Sequence, residues 1–176
     1  MGLFVPHFRS LVVKPTLRAM GGRFDSDAAT ELLIGTAIKE SGLRYLHQLG
    51  AGPALGVFQM EPATAQDITH RYLRDFPAVE PAFERGFLLD GSTGVDWSTV
   101  DPVIIAEKLI SDLRFATAMA RLKYWMSPLP LPDVNDVPGQ ARYWKTIYNT
   151  KLSVYDEGDY VKKYNTRGRL GLDQRK

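Results

Sequence analysis

Glu40 is the residue of this 176-residue chain whose type and position most directly suggest chemistry. Leu33, Ala37 and Glu40 are spaced by four and then three residues, so in a helix they share one face. Because that face is otherwise apolar, we predict that it points into the protein. A carboxyl group held there is partly desolvated, which raises its pKa and lets it act as a general acid near neutral pH.

The helix that would carry Glu40 is predicted over about 27–41, and Gly42 supplies a stop signal. Its N-cap oxygen could come from Asp25, Ser26 or Asp27. A simpler interpretation of Glu40 remains open, because most helical glutamates are solvated or paired with a basic neighbour. Lys39 and Arg44 are both close enough in sequence to be that neighbour.

The composition limits the classes of function. The chain is long enough for one domain with its own core, and without cysteine it has neither disulfides nor thiol chemistry. The net charge of +2 is too small to indicate nucleic-acid binding. The three histidines lack metal-ligand spacing, and the glycines at 50, 52 and 56 do not fit a dinucleotide fingerprint because a helix precedes them. We therefore expect no metal and no cofactor.

The apolar pattern predicts a mainly α protein. Helices are expected at about 27–41, 62–74, 102–126 and 138–149. The apolar period within 102–126 marks that segment as the central buried helix. The stretch 42–60 is predicted to be a loop with room for a short strand pair, and 75–100 to be a loop-rich insertion because of its prolines and glycines.

The predicted domain organisation has three parts. Residues 1–24 are expected to form an irregular or partly helical arm, with a helix start at Lys14-Pro15-Thr16. Residues 25–165 are expected to form the catalytic domain, closed by a last helical turn near 160–164. Residues 166–176, rich in glycine and charge, are expected to form a flexible tail.

Three short blocks resemble those of the lytic transglycosylases related to goose-type lysozyme. The blocks are Lys39-Glu40-Ser41-Gly42, the run GVFQMEPATA over 56–65, and Ile147-Tyr148-Asn149-Thr150. The corresponding family blocks are ES, G-L-M-Q-x-x-P-x-T-A and A-Y-N, in the same order. Together the blocks extend over about residues 28–150, which is most of the chain.

The chain departs from the family pattern at several positions. Val57-Phe58 replaces the usual Leu-Met, and Glu61 adds a charge before Pro62. Thr150-Lys151 stands where the family usually has Ala-Gly. The third block is therefore the one that matches the family least.

The resemblance implies an α+β lysozyme-like fold, in which helices surround a central buried helix and a small loop and strand region forms a glycan cleft. It implies that Glu40 is the catalytic acid. The residues that it implies for substrate binding are Ser41, Gly56, Phe58, Gln59, Tyr148 and Asn149.

Purely structural roles for three of these residues also remain open. Gln59 could satisfy local backbone groups with its amide instead of binding a sugar. Tyr148 lies on an aromatic stripe of the kind that usually packs into a core, although a buried phenol needs a polar partner and could find it near Glu40. Asn149 could simply cap a helix end.

Glu61 could supply the second carboxylate that most glycoside hydrolases need. Its position before Pro62 at a helix start explains its charge equally well through the helix dipole. Lytic transglycosylases need one acid only. The resemblance therefore implies that Glu40 alone cleaves peptidoglycan between N-acetylmuramic acid and N-acetylglucosamine, ending either in a 1,6-anhydro ring or in hydrolysis.

Two rival functions belong to different classes. The first is a virion structural protein that keeps a lysozyme-like fold with little or no activity, and the altered third block favours it. The second is an enzyme that cleaves chitin. No apolar run approaches the length of a membrane span, so we expect no membrane insertion.

The first residues of the sequence bear on where the protein is located. They lack a basic region followed by a long apolar run, so we expect no signal peptide. A wall-cleaving enzyme made in the host cytoplasm would then reach the wall as part of a phage particle, with phage tail or other virion proteins as partners. Mass spectrometry of purified virions should find the protein in low copy. Its absence from particles, with accumulation in the cytoplasm until lysis, would favour a free endolysin instead.

Overall fold

The computed structural model describes residues 2–90, 92–149 and 157–170, and in these ranges the protein is mainly α, as predicted. We number its helices α1 (5–20), α2 (Asp27–Glu40), α3 (62–75), α4 (Glu80–Phe87), α5 (Pro102–Ser111), α6 (Leu113–Trp125), α7 (137–148) and α8 (157–168). Four of these helices contain π turns, at Phe8–Val13, Asp67–Tyr72, Trp144–Tyr148 and Tyr164–Gly168.

Helix α2 begins and ends as its sequence predicts. The Ser26 hydroxyl accepts a hydrogen bond of 3.0 Å from the Ala29 N–H, which satisfies one of the free donors at the helix start. Gly42 follows the helix with φ of +61°, a left-handed conformation that suits glycine. Leu33 and Ala37 are fully buried, so the face that they share with Glu40 does point inward.

Helices α2 and α6 form the centre of the fold. Most residues of each are buried, and the two helices pack against each other. Helix α6 also contacts α1, α4, α5 and α7, while α8 covers another side of α2. The end of α2 is therefore surrounded by protein on several sides, which is what desolvates a carboxyl group placed there.

The predicted helix over 102–126 is two helices in the structure, and the central buried one is its second half. Asp112 has an extended backbone, and its carboxylate accepts hydrogen bonds from the N–H groups of Arg114 and Phe115. This side chain offers the backbone an alternative to continuing the helix. In α5 only Ile105 and Leu109 are buried, so α5 lies on the surface of the core.

The predicted loop-rich insertion over 75–100 contains a helix, so that interpretation was too simple. Helix α4 packs against α1 and α6. Its Glu84 is fully buried and accepts hydrogen bonds from the backbone N–H groups of Gly94 and Val95 and from the Trp97 indole. The buried carboxylate thus folds the segment that follows α4 back onto the core.

The predicted arm over 1–24 is helical from residue 5 and supplies core side chains. Val13 and Leu17 are fully buried. An α-helical segment begins at Lys14, as predicted, with Pro15 as its second residue, and it continues from the π turn over Phe8–Val13. Proline lacks an N–H and its ring clashes with a carbonyl four residues earlier in a regular α-helix, and the wider π turn changes that spacing. The division into arm, domain and tail stays a prediction.

The stretch 42–60 has no strand pair in the structure. It holds isolated β-bridges, which join His47 to Leu55 and Leu55 to Met60. Gly56 has φ of +70°, and an added Cβ there would lie 2.1 Å from the Leu109 carbonyl oxygen. Only glycine fits so close to the end of α5, and this contact holds the loop beside the end of α2.

A buried ion pair joins α1 to α2, and its members also bind residues in and just after α8. The guanidinium of Arg9 makes two hydrogen bonds of 2.9 Å to the carboxylate of Glu31, and both side chains are almost fully buried. The Tyr164 hydroxyl donates a further hydrogen bond to Glu31. Arg9 also donates to the carbonyls of Gly168 and Leu170, so hydrogen bonds hold the start of the predicted loose tail as far as residue 170.

Replacing Arg9 by methionine should lower the free energy of unfolding by about 3–5 kcal/mol, because it leaves the Glu31 carboxylate buried without its cation. The double variant Arg9→Met/Glu31→Leu should recover much of that loss. Lys14→Met is the control, because it removes an ion pair whose Asp27 partner is mostly exposed, and should cost at most about 1 kcal/mol. Urea denaturation measures all three, and equal losses for Arg9→Met and Lys14→Met would contradict this role.

Candidate functional site

Glu40 is the last residue of α2 and lines a cleft of about 600 Å³. The indole N–H of Trp144, in α7, donates a hydrogen bond of 2.8 Å to the Glu40 carboxyl group. Trp144 is itself almost fully buried. One oxygen of the carboxyl group is thus held by the protein, while the residue as a whole keeps partial exposure to the cleft.

Burial of the carboxyl group dominates its electrostatics. It raises the pKa of Glu40 from 4.5 to about 7, although the Trp144 hydrogen bond and the charges of Lys123, Lys39 and Lys163 act in the opposite direction. A carboxyl group with this pKa is about half protonated at neutral pH. It can therefore both donate a proton and accept one under the same conditions.

The simpler interpretation of Glu40, as the ion-pair partner of Lys39 or Arg44, does not match the contacts. The Lys39 ammonium group binds the Asp159 carboxylate in α8 and lies 5.3 Å from the centre of the Trp144 ring. Arg44 is exposed on the cleft wall and makes no ion pair with Glu40.

Lys123 is the cation that affects Glu40 most strongly. Its ammonium group donates a hydrogen bond of 2.7 Å to the Tyr148 carbonyl and lies 4.3 Å from the centre of the Tyr148 ring. Burial lowers the pKa of Lys123, and the charges of Glu40 and Glu61 oppose that shift. Lys123 is therefore electrostatically coupled to two carboxylates that line the same cleft.

Gln59 lines the cleft with a constrained backbone. Its φ is +47°, an unusual conformation for a residue other than glycine. Its side-chain amide donates a hydrogen bond of 2.8 Å to the Gly56 carbonyl, and its backbone N–H donates to the same oxygen. The amide nitrogen thus satisfies a local backbone carbonyl, and the residue also lines the cleft.

Ser41 joins the end of α2 to the loop that follows. Its hydroxyl donates to the Val57 carbonyl at 2.6 Å and accepts from the Leu43 N–H at 3.0 Å. The side chain is buried, and backbone groups occupy its hydroxyl. Ser41 lines the cleft, but its hydrogen bonds position the loop.

Tyr148 and Asn149, at the end of α7, also line the cleft. The Tyr148 hydroxyl donates a hydrogen bond of 3.0 Å to the Phe58 carbonyl, so its polar partner is the loop backbone and not Glu40. The Asn149 backbone N–H bonds to the Trp144 carbonyl, as expected at a helix end. Thr150, the next residue of the third block, lies outside the described residues.

Gly56 and Phe58 do not line the cleft, in contrast to the role that the resemblance implied. The Phe58 ring is almost fully buried and packs against Phe8, with ring centres 6.1 Å apart. Gly56 packs against the Leu109 carbonyl. Both residues shape the loop behind Gln59, because the side chain at 58 points into the core and no side chain fits at 56.

Trp144 and Lys123 were not predicted as site residues. Trp144 belongs to the same aromatic stripe as Tyr148, and its partner is 104 residues away in the chain. Lys123 lies in the last turn of α6, and the residues around it in the sequence gave no indication that it belongs to a site. A buried tryptophan needs a partner for its N–H, and this requirement is the signal that could have pointed from Trp144 to a carboxylate.

The described part of the chain contains no group of three side chains suited to a metal ion. It also contains no helix with both the length and the apolar character needed to cross a bilayer. Comparison of the chain with protein-family models, with curated proteins and with solved structures finds no match.

The raised pKa of Glu40 makes a prediction about stability. Below about pH 4.5 the carboxyl group is protonated in both the folded and the unfolded chain, so its burial does not lower the free energy of unfolding. Between pH 4.5 and about 7 it ionises in the unfolded chain first, and folding is penalised by up to about 3 kcal/mol above that range. Glutamine can still accept the Trp144 hydrogen bond without this penalty.

Glu40→Gln should therefore gain stability relative to the wild type as the pH rises from 4.5 to 8, and the difference should shrink to nearly zero at the acid end. Urea denaturation across this pH range measures it. Glu107→Gln, at an exposed position outside the cleft, is the control for a general charge effect. A stability difference that does not change with pH would show that Glu40 ionises at its ordinary pKa.

Proposed function

We propose that the protein cleaves peptidoglycan glycan strands by a single-glutamate mechanism, as a lytic transglycosylase or a muramidase of lysozyme-like fold. The observation that carries the proposal is the Glu40 carboxyl group, which has a pKa of about 7 and lines a cleft. Gln59 and Tyr148, from the other two sequence blocks, line the same cleft. No metal or cofactor is invoked, because proton transfer by Glu40 is sufficient for the reaction.

In the first step, protonated Glu40 gives its proton to the oxygen between N-acetylmuramic acid and N-acetylglucosamine. The bond from this oxygen to C1 of the muramic acid breaks, and the sugar's own acetamido group supports the positive charge at C1. Burial favours this step, because a desolvated carboxyl group is protonated at a pH where an ordinary glutamate is ionised.

In the second step, the Glu40 carboxylate takes a proton from the nucleophile and returns to its starting form. If the 6-hydroxyl of the same sugar attacks C1, a 1,6-anhydro ring closes and no water is consumed. If water attacks, the product is a reducing sugar and the enzyme is a muramidase. The lysines at 39, 123 and 163 would stabilise the carboxylate between the two steps.

Glu61 has a supporting place in this proposal. It lies at the N-cap position of α3 and lines the cleft, where it is electrostatically coupled to Lys123. The dipole of α3 stabilises a negative charge at the N-terminus of the helix, which explains the position of Glu61. The mechanism therefore does not need Glu61 as a second catalytic carboxylate.

We propose further that the enzyme is carried in a phage particle, in association with the tail. The alternative is a virion structural protein with a lysozyme-like fold and little or no activity. The replacement of the family's Ala-Gly by Thr150-Lys151 is the feature that favours this alternative.

Glu40→Gln should lose at least about a hundredfold in the rate of wall digestion, because it cannot transfer a proton. Glu61→Gln is the matched control and should retain most of the activity. The assay is digestion of purified peptidoglycan, followed by mass analysis of the released muropeptides. Products lighter by one water than the hydrolysis products identify a transglycosylase, and reducing ends identify a muramidase.

Wild-type rates of cleavage by Glu40→Gln would contradict the assignment of Glu40. If the folded wild-type protein cleaves no wall material, the structural alternative is favoured. Cleavage of chitin but not of peptidoglycan would show that the enzyme is a chitinase and would contradict the proposed substrate.

A further inference from the structure

Two arginines line the wall of the cleft, beyond the end of α2. Arg44 follows the turn after this helix, and Arg167 comes from α8. The guanidinium of Arg167 donates a hydrogen bond of 2.9 Å to the Gly42 carbonyl, which brings it to the turn that carries Arg44. Both side chains line the cleft that contains Glu40.

The turn that presents Arg44 is well defined. Gly42 and Leu43 have φ of +61° and +55°, and the Arg44 N–H bonds to the Ser41 carbonyl. Leu43 is buried, whereas Arg44 is exposed. The backbone thus fixes the base of the Arg44 side chain, in a residue that is exposed and lines the cleft.

The charge of this pair is not compensated within the described residues. Neither Arg44 nor Arg167 has a carboxylate of that part of the chain within ion-pair distance. Burial lowers the pKa of Arg167, and the neighbouring charge of Arg44 lowers it further. Two like charges held close together destabilise each other, so the site is favourable for an added anion.

The other cations of the cleft have their own partners. Lys39 and Lys163 both bind the carboxylate of Asp159. Lys123 binds the Tyr148 carbonyl and is coupled to the carboxylates of the cleft. The two arginines differ from Lys39 and Lys163, because neither forms an ion pair with a carboxylate of the described residues. They differ from Lys123, because the charge that acts on Arg167 is the cation of Arg44, whereas the charges that act on Lys123 are the carboxylates of Glu40 and Glu61.

We propose that Arg44 and Arg167 form an anion subsite that holds a carboxylate of the peptide stem carried by the glycan strand. The proposal rests on the proposed function and narrows its substrate to strands with ionised stems. Guanidinium groups bind carboxylates through paired hydrogen bonds, which fits a stem that bears free carboxylates. A neutral polymer such as chitin would gain nothing from this pair.

The test compares two forms of one substrate. Peptide-bearing glycan strands are used either untreated or after carbodiimide amidation, which neutralises their carboxylates with little change in size. The wild type should cleave the untreated strands with a kcat/KM about fivefold higher, and added salt should weaken this preference because the pair is partly exposed.

Arg44→Gln should reduce the preference towards one, while Arg18→Gln, which removes an exposed charge outside the cleft, should keep it. Arg44 is the better position to vary, because Arg167 also holds the Gly42 carbonyl. A thermal unfolding curve verifies that each variant is folded. No preference in the wild type, or an equal preference in Arg44→Gln, would overturn the subsite while leaving wall cleavage intact.

A second measurement does not depend on catalysis. Calorimetry with the Glu40→Gln protein should show that the released stem peptide binds more tightly than its amidated form, and that Arg44→Gln removes the difference. If the wild type cleaves no strand at all, the proposed function fails, and this binding experiment alone decides the subsite. Equal binding of both peptides would then overturn it.

Discussion

The hydrogen bond from the Trp144 indole to the Glu40 carboxyl group is the contact on which the candidate site depends. It joins the end of α2 to the middle of α7, and it fixes the carboxyl group at the cleft. Trp144 has its own supports, because its ring lies 5.6 Å from the Tyr160 ring and 5.3 Å from the Lys39 ammonium group. Helix α8 carries both Tyr160 and the Asp159 carboxylate that binds Lys39. It therefore helps to position Trp144, although the proposed catalytic carboxyl group is in α2.

The balance between burial and charge decides what Glu40 can do. Three lysines act to lower its pKa, yet burial raises it to about 7, a net change that corresponds to about 3 kcal/mol. Lys39, the nearest cation in sequence, opposes the rise only at a distance, because its ammonium group binds Asp159 and not Glu40. The surrounding positive charge still has a use, because it would stabilise the carboxylate that forms when the proton leaves. The same cleft thus favours a protonated group before proton transfer and tolerates an ionised one afterwards.

Local signals in the sequence predicted the frame of the site, and long-range contacts determined the rest. The cap at Ser26, the stop at Gly42 and the apolar face with Glu40 are short-range features, and the structure confirms them. The break at Asp112 was missed, because the apolar period continues through it while its side chain caps a second helix. The partner of Trp144 could not be read from the sequence, since the two residues are 104 positions apart and meet only in the folded chain. The glycan cleft and its substrate remain proposals that rest on the resemblance and on the chemistry of one carboxyl group.

The role of Glu40 is tested most directly by a pH titration of its side-chain carboxyl carbon by NMR, with the signal assigned by its loss in Glu40→Gln. We expect a midpoint at about pH 7, because burial outweighs the tryptophan hydrogen bond and the neighbouring lysines. Lys123→Met should move the midpoint higher, because the variant removes a charge that favours the carboxylate. A wild-type midpoint near 4.5, the ordinary value for glutamate, would show that Glu40 is an ionised side chain at neutral pH and would contradict its role as a general acid.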